Sequence, residues 1–474
     1  MLRVVILVFI SITHSLYGQI KVNGFQPMAR YDKKSKVLIE QVNANAEREL
    51  AKLDQSTQFY AESIIKSRDH VLNGIDDQLY IQNDSLENLV STIGLEIIKN
   101  CQLQIDDPIF LVSIDPAVNA SSLMIHVIEI NIGVIVASST AEELKMIIGH
   151  ELAHIAREHS IRRIHEFQEN DIEDKAIQAI GESIQRRGSV SDLEEAQTLA
   201  YALFKNKRSD EVEADSLSIM YMQKCEEDIS LAVPMIGKIG LNVYSEPMPV
   251  RMLLQQLFTT KYPMRSFWFN DRLPIYEKTR DVSFIYFTDS IQSHPDTKLR
   301  MKALEQLTGL KINAPKSSHL SIIDSPLAFD LLQAAYDYHF YEIVLYLATM
   351  MRLEQPENEY LIAMITQIFI DLYQAHYDFS PSNNFYMYVN YYTTGFTKPL
   401  SEINAFLFNL SPDEMLEIAY HFLNNPETFN PQEEFHYWQM FQLTKLTERE
   451  ELNAQVKKMY AAKFPEGAYL KEMR

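Results

Sequence analysis

The chain has 474 residues, 46% of them hydrophobic, and 64 acidic against 43 basic side chains give a net charge of -21. That length supports more than one hydrophobic core, two or three at usual domain sizes. So acidic a surface excludes nucleic acid as a partner, because phosphate binding needs a basic face, and no polybasic patch for anionic lipid is present.

Residues 1–18, MLRVVILVFISITHSLYG, have Arg3 in a short leading region, an apolar run from Val4 to Ile12 and small or turn-forming residues near Ser15 and Gly18. This is a signal-peptide pattern, so export is expected. The apolar run is shorter than the ~20 residues of a membrane span, so any membrane association is expected to be peripheral at most. Only Cys101 and Cys225 are available, which allows one disulfide or two unpaired buried thiols.

From Lys34 to Asn100 the pattern is helical, with Ile39, Val42, Ala46, Leu50 and Leu53 as the expected buried stripe. At Ile109 the character turns β-rich: IFLVSI reads as a strand, DPAVNA as a turn leading into extended chain, and LMIHVIEINIGVIVAS as strand or hairpin. Ser138, Ser139 and Thr140 are N-cap candidates for the helix that follows, with Glu142 and Glu143 in its first turn. That helix carries ELKMIIGHELAHIAREHSIRRIHEF, and a second, after a charged stretch, carries SDEVEADSLSIMYMQ. Residues 245–298 look irregular, with Pro247, Pro249, Pro263 and Pro274, and their Tyr262, Trp268 and Tyr276 read as packing in preference to a peptide cleft. GLKINAPKSS, 309–318, reads as a linker, and 320–474 as successive short amphipathic helices, either a tetratricopeptide-like array or an ordinary bundle.

The chemistry lies in His150-Glu151-Leu152-Ala153-His154. On a helix, residues four apart differ by ~400° of rotation and ~6 Å of rise, so both imidazoles face one ion while Glu151 stays near enough to serve as base. A catalytic zinc takes three protein ligands, and Glu211 in Glu211-Val-Glu-Ala-Asp215 is the expected third. Asp215, four residues on, faces the same site and is expected to bond the outer nitrogen of a ligating histidine. Glu213 is the alternative ligand, but it points ~160° away from the Asp215 direction. His159 and His165 read as structural, and Arg300 as an ion-pair or anchoring residue.

Five stretches, in order, resemble the zinc peptidase family that includes the CAAX prenyl endopeptidase, HtpX and BepA: DPAVNASS, NIGVI, GHELAHIAREHS, DEVEAD and SHPDTKLRMKAL, between Ile109 and Leu307. Ser218 and Cys225 depart from it, standing where glycine is common. The resemblance implies a gluzincin-like catalytic domain of α+β, mainly α class, with a small sheet beside the metal helix. It implies one zinc ion on His150, His154 and Glu211, Glu151 as catalytic base, and substrate backbone along an edge strand at Asn119 and Ala120. It also implies a role for His294 at the site. The expected domains are a signal peptide at 1–18, the peptidase at 19–310 and a helical domain at 320–474. The expected activity is endoproteolysis of exported or misfolded envelope proteins in a bacterial periplasm, the C-terminal helices recruiting substrates or assembly machinery. The competing reading is a non-catalytic chaperone or scaffold with a structural zinc. An aminopeptidase would need a group that recognises a free N-terminus, and no motif supplies one.

Overall fold

The described residues fall into two compact units: 28–54, 57–162, 164, 209–239 and 297–312 in one, and 22, 25–27, 249–269, 325–377 and 398–473 in the other. The computed structural model describes residues 22, 25–54, 57–162, 164, 209–239, 249–269, 297–312, 325–377 and 398–473. The expected signal peptide, His165, Tyr276 and His294 lie outside them. Residues 249–269, expected in the catalytic domain, belong to the second unit.

In the first unit, helix α1 (Lys36–Ala51) buries Leu38, Val42, Asn45 and Ala46, and α2 (Ala61–Asp76) adds Ile64, Val71 and Ile75 to the same core. The buried stripe of α1 is therefore rotated from the expected one: Ile39, Leu50 and Leu53 pack at its margin. Asn45 holds the central place because its amide donates to the carbonyls of Asp107 (2.9 Å) and Ile125 (3.1 Å), which would otherwise be poorly satisfied in an apolar setting. Asn83 caps α3 (Asp84–Cys101) by accepting from the backbone of Ser85 and Leu86.

Strands β1 (Ile109–Ser113), β2 (Ala120–Leu123) and β3 (Val127–Asn131) form one sheet in the order β1-β3-β2. β1 runs parallel to β3, and β2 antiparallel to it, so β2 is an edge. The apolar run after Asn131 is not strand, as its composition suggested, but a short helix, α4 (Ile132–Ala137). Gly133 permits the bend: a Cβ there would lie 2.2 Å from the carbonyl oxygen of Pro116.

Helix α5 (Ala141–Ala156) follows, capped by Thr140, whose Oγ1 accepts from Glu143 N at 3.2 Å. Every residue from Glu143 to His154 is buried, because α5 runs between α3 and the strands β2 and β3. Its polar start is satisfied at long range by Lys238, whose ammonium donates to Ala137 O (3.0 Å), Ser139 Oγ (2.9 Å) and Glu143 Oε2 (2.7 Å). Helix α6, residues 209–224, lies close against α5. Ser218 Oγ donates to Met146 O at 2.6 Å, and a Cβ on Gly149 would stand 2.8 Å from that hydroxyl. Helix α7 (Thr297–Thr308) closes the unit's described part.

The second unit contains α8 (Ala328–Asp337), α9 (Tyr341–Glu354), α10 (Glu359–Tyr377), α11 (Lys398–Asn409), α12 (Pro412–Leu423), α13 (Glu434–Leu446) and α14 (Glu450–Lys463). Neighbours in sequence pack together along α8–α9–α10, and α10 also packs on α12 and α13. Trp268 is fully buried here between Phe258 and Phe406, and Tyr262 stacks on His421 at 5.1 Å, so both aromatics are packing residues. Burial pushes the Glu342 carboxyl up to about 7, and that of Asp371 up to about 6 although Tyr336, Gln367 and Tyr341 donate to it. Among the described residues no helix is long and apolar enough to cross a membrane.

Gly149→Ala should force α6 off α5 and lower the melting temperature, and adding Ser218→Ala should recover most of the loss, since the next obstacle, Ser218 Cβ, is 3.6 Å away. Equal melting of the wild type and Gly149→Ala would show that the approach is not tight. Glu342 holds its proton more firmly folded than unfolded, so its contribution is intact below about 4.5 and is lost as the pH rises to about 7. Thermal melts of Glu342→Gln across that window should therefore gain on the wild type as pH rises; parallel curves would contradict the burial effect.

Candidate metal centre

His150 and His154, one turn apart on α5, direct their Nε2 atoms to positions 3.0 Å from each other. From α6, Glu211 brings Oε2 to 3.3 Å from His150 Nε2 and Oε1 to 3.6 Å from His154 Nε2. A tetrahedral ion with bonds of ~2 Å holds its ligand atoms ~3.3 Å apart, so these separations suit a zinc ion at their centre. The donor set, two imidazoles and a carboxylate, suits it as well. All three residues are buried, and together they could hold a metal ion.

Behind each histidine stands a second group that fixes the ring. His150 Nδ1 is 2.9 Å from Asp215 Oδ1. Arg300 of α7 donates from Nε to Asp215 Oδ2 and from Nη2 to Oδ1, both at 2.7 Å, and its Nη1 is 3.4 Å from Glu211 Oε2. Burial alone would raise the Asp215 carboxyl; Arg300 and His150 outweigh it and hold it below the usual range. Burial opposes charge on His150 too, yet Asp215 and Glu211 raise it to about 9. The field that favours a proton there favours a divalent cation still more. Arg300 is thus the ion-pair residue that its sequence position suggested.

His154 is supported differently. Its Nδ1 lies 2.7 Å from Nδ1 of His159, whose Nε2 is 3.4 Å from Glu213 Oε2. With His154 Nε2 turned to an ion, its Nδ1 carries hydrogen and donates to His159, whose own hydrogen then sits on Nε2 and points to Glu213. Arg157 Nε (3.2 Å) and Arg162 Nη2 (3.3 Å) hold Glu213, and Arg162 also bonds Asp210. Glu213 is therefore committed away from the ion, and Arg162 neutralises the acidic pair around His159. Sequence reasoning read His159 as structural because continuous helix puts it off the ligand face. The helix breaks instead: Glu158 adopts φ 52° and the chain turns His159 back onto His154.

A small cleft beside the ligands is lined by Asn119, Ala120, Ile147, His150, Glu151 and Ile239. It brings the start of edge strand β2 next to Glu151. The Oδ1 atom of Asn119, one of the lining residues, is buried with no hydrogen-bond partner among the described residues. His294, expected nearby, lies outside the described residues.

Residues 84–308, from the start of α3 to the end of α7, match the model of Peptidase family M48. No curated protein matches the chain at significant similarity.

His159→Leu should weaken zinc binding by ~10–100-fold in competition with a chromogenic chelator, the usual penalty for removing a group that orients a ligand. His159→Asn, whose Oδ1 can accept where Nδ1 did, should retain more. Unchanged affinity in His159→Leu would show that His154 needs no such support.

Proposed function

Because the chain belongs to peptidase family M48 through residues 84–308, a zinc-dependent metallopeptidase family, we propose that it is an endopeptidase whose zinc is held by His150, His154 and Glu211 and whose base is Glu151. The observation that carries this reading is the cleft in which Glu151 and His150 share walls with Asn119 and Ala120. Zinc held there supplies Lewis acidity to the scissile carbonyl and to the attacking water.

Glu151 takes a proton from that water and delivers it to the nitrogen of the departing amine. Its buried position, 2% exposed, keeps the carboxylate away from competing solvent during both transfers. Substrate lies extended along β2, adding a strand to the sheet edge, with Asn119 Oδ1 accepting a peptide N–H. Asp215 and Arg300 keep His150 in the tautomer that presents Nε2, and His159 does the same for His154. His294 is assigned, on the His-Pro resemblance alone, to stabilising the oxyanion or shaping the cleft. Among the described residues three protein donors converge, the number a catalytic zinc takes, whereas a closed structural site takes four.

The signal-like residues 1–18 support an exported, periplasmic protein acting on exported or misfolded envelope proteins, and the apolar helices of the second unit are the proposed surface for substrates or assembly machinery. Glu151→Gln should keep one zinc per chain by metal analysis while hydrolysis of an unfolded protein substrate falls by ~10²–10⁴-fold. Hydrolysis retained at the wild-type rate would remove Glu151 from the mechanism, and loss of the metal would recast it as a ligand.

A further inference from the structure

The chain's two cysteines sit at the ends of two helices of the catalytic unit: Cys101 is the last residue of α3, and Cys225 follows the last turn of α6. They are neighbours in space. Cys101 Sγ lies 3.9 Å from the carbonyl oxygen of Tyr221, and the same oxygen accepts the backbone N–H of Cys225 at 3.0 Å. The amide of Asn100, the residue before Cys101, donates to Cys225 Sγ at 3.6 Å, so each cysteine is tied to the other's helix end. Cys101 is buried and Cys225 half-buried.

We propose that Cys101 and Cys225 form a disulfide that ties the C-terminal end of the helix carrying Glu211 and Asp215 to the end of α3. Sequence alone leaves pairing and two separate thiols equally open; it is the convergence of both cysteines on the Tyr221 carbonyl, with Asn100 reaching Cys225 Sγ, that favours pairing. The oxidant is a disulfide, either a small molecule or an oxidoreductase. Cys225, the more accessible sulfur, attacks it, forms a mixed disulfide and releases one of its sulfurs as thiolate. Cys101 then attacks Cys225 Sγ and expels the second. Two thiol protons and two electrons leave the protein, one S–S bond forms, and the oxidant's disulfide becomes two thiols. Burial pushes the Cys101 thiol up to about 11, which suits it to the second, intramolecular step, where proximity makes up for a small thiolate fraction.

The loop so closed contains the sheet, α5 and all of α6, so the cross-link restricts the unfolded chain strongly and, in the folded one, fixes the far end of the third-ligand helix. None of this depends on the peptidase reading; the bond would form in an inactive scaffold as well.

The test uses the full chain, reduced and then equilibrated with oxidised glutathione. Remaining thiols are blocked with a maleimide in denaturant, and the protein is digested without reductant. The expected product is a peptide pair joining Cys101 to Cys225, two hydrogens lighter than the separate peptides and free of maleimide. Reducing the oxidised protein should lower its melting temperature by ~5–10 °C and speed the loss of zinc to a chelator several-fold. Cys225→Ser should melt like the reduced protein and ignore reductant; should it fail to fold, reduction of the wild type gives the same comparison. Maleimide on both cysteines after oxidation, or glutathione left on Cys225 alone, would overturn the pairing. A cross-link that moves neither melting nor zinc loss would overturn its role as a tie.

Discussion

The charge buried where α5, α6 and α7 meet is the constraint on which the rest of the unit depends. Glu151, Glu211 and Asp215 are each at most 2% exposed, and Arg300, equally buried, is the one permanent cation that the described residues set among them. Three carboxylates face one guanidinium there, with His150 as a further cation because Asp215 and Glu211 favour its charged form, in a region from which water is largely excluded. Burial of that kind is costly unless the charges are paired and hydrogen-bonded. Arg300 pairs with Asp215 through two bonds and reaches Glu211, which itself stands beside both imidazoles. The surrounding fold thus holds carboxylates where an apolar core would normally reject them, in a donor set that the proposed zinc would take.

Close approach of two helices is the mechanical condition for that arrangement. Gly149 precedes the first ligand, and the space where its side chain would stand is taken by Ser218. The serine hydroxyl bonds back to Met146, so the helix carrying Glu211 and Asp215 is anchored to the histidine helix through a polar contact of its own beside those of the site. On the other side of α5, Lys238 secures the helix start through three donors, while Lys145 is balanced by Glu96 and Glu227. The ligand helix is therefore fixed along its length before any ion binds.

Much of the site was legible because helical periodicity is a local property. Spacing four placed His150 with His154 and Glu211 with Asp215, and each pair indeed shares a direction. The small sheet and the start of α5 at Thr140 were legible for the same reason, from alternation and capping residues. What the sequence concealed depends on long-range packing or on a single backbone angle. The rotation of α1 that buries Asn45 follows from two loop carbonyls needing a donor. The turn of IGVIVA from strand to helix follows from contact between Gly133 and the 116–117 backbone. The assignment of residues 249–269 to the second unit follows from Trp268 finding its pocket among distant helices. The recruitment of His159 follows from one left-handed residue, Glu158, that no periodicity argument contains.

The two ligand histidines, alike in the motif, are consequently unlike in the protein. His150 leans on a carboxylate pinned by a guanidinium, all fully enclosed, and the pair can neither relax nor exchange with solvent. His154 leans on a neutral ring whose own partner, Glu213, is about one-third exposed and held by arginines that are about half exposed. Charge is delivered directly to one ligand and through an intermediary to the other, so the electron donation and the rigidity that the two nitrogens offer an ion differ. The enclosed side also carries Glu211 through Arg300, whereas the solvent side borders the loop after α5. Disturbance from outside therefore reaches the site by way of His154, and the Asp215–Arg300 side is the fixed frame against which a bound ion would be held.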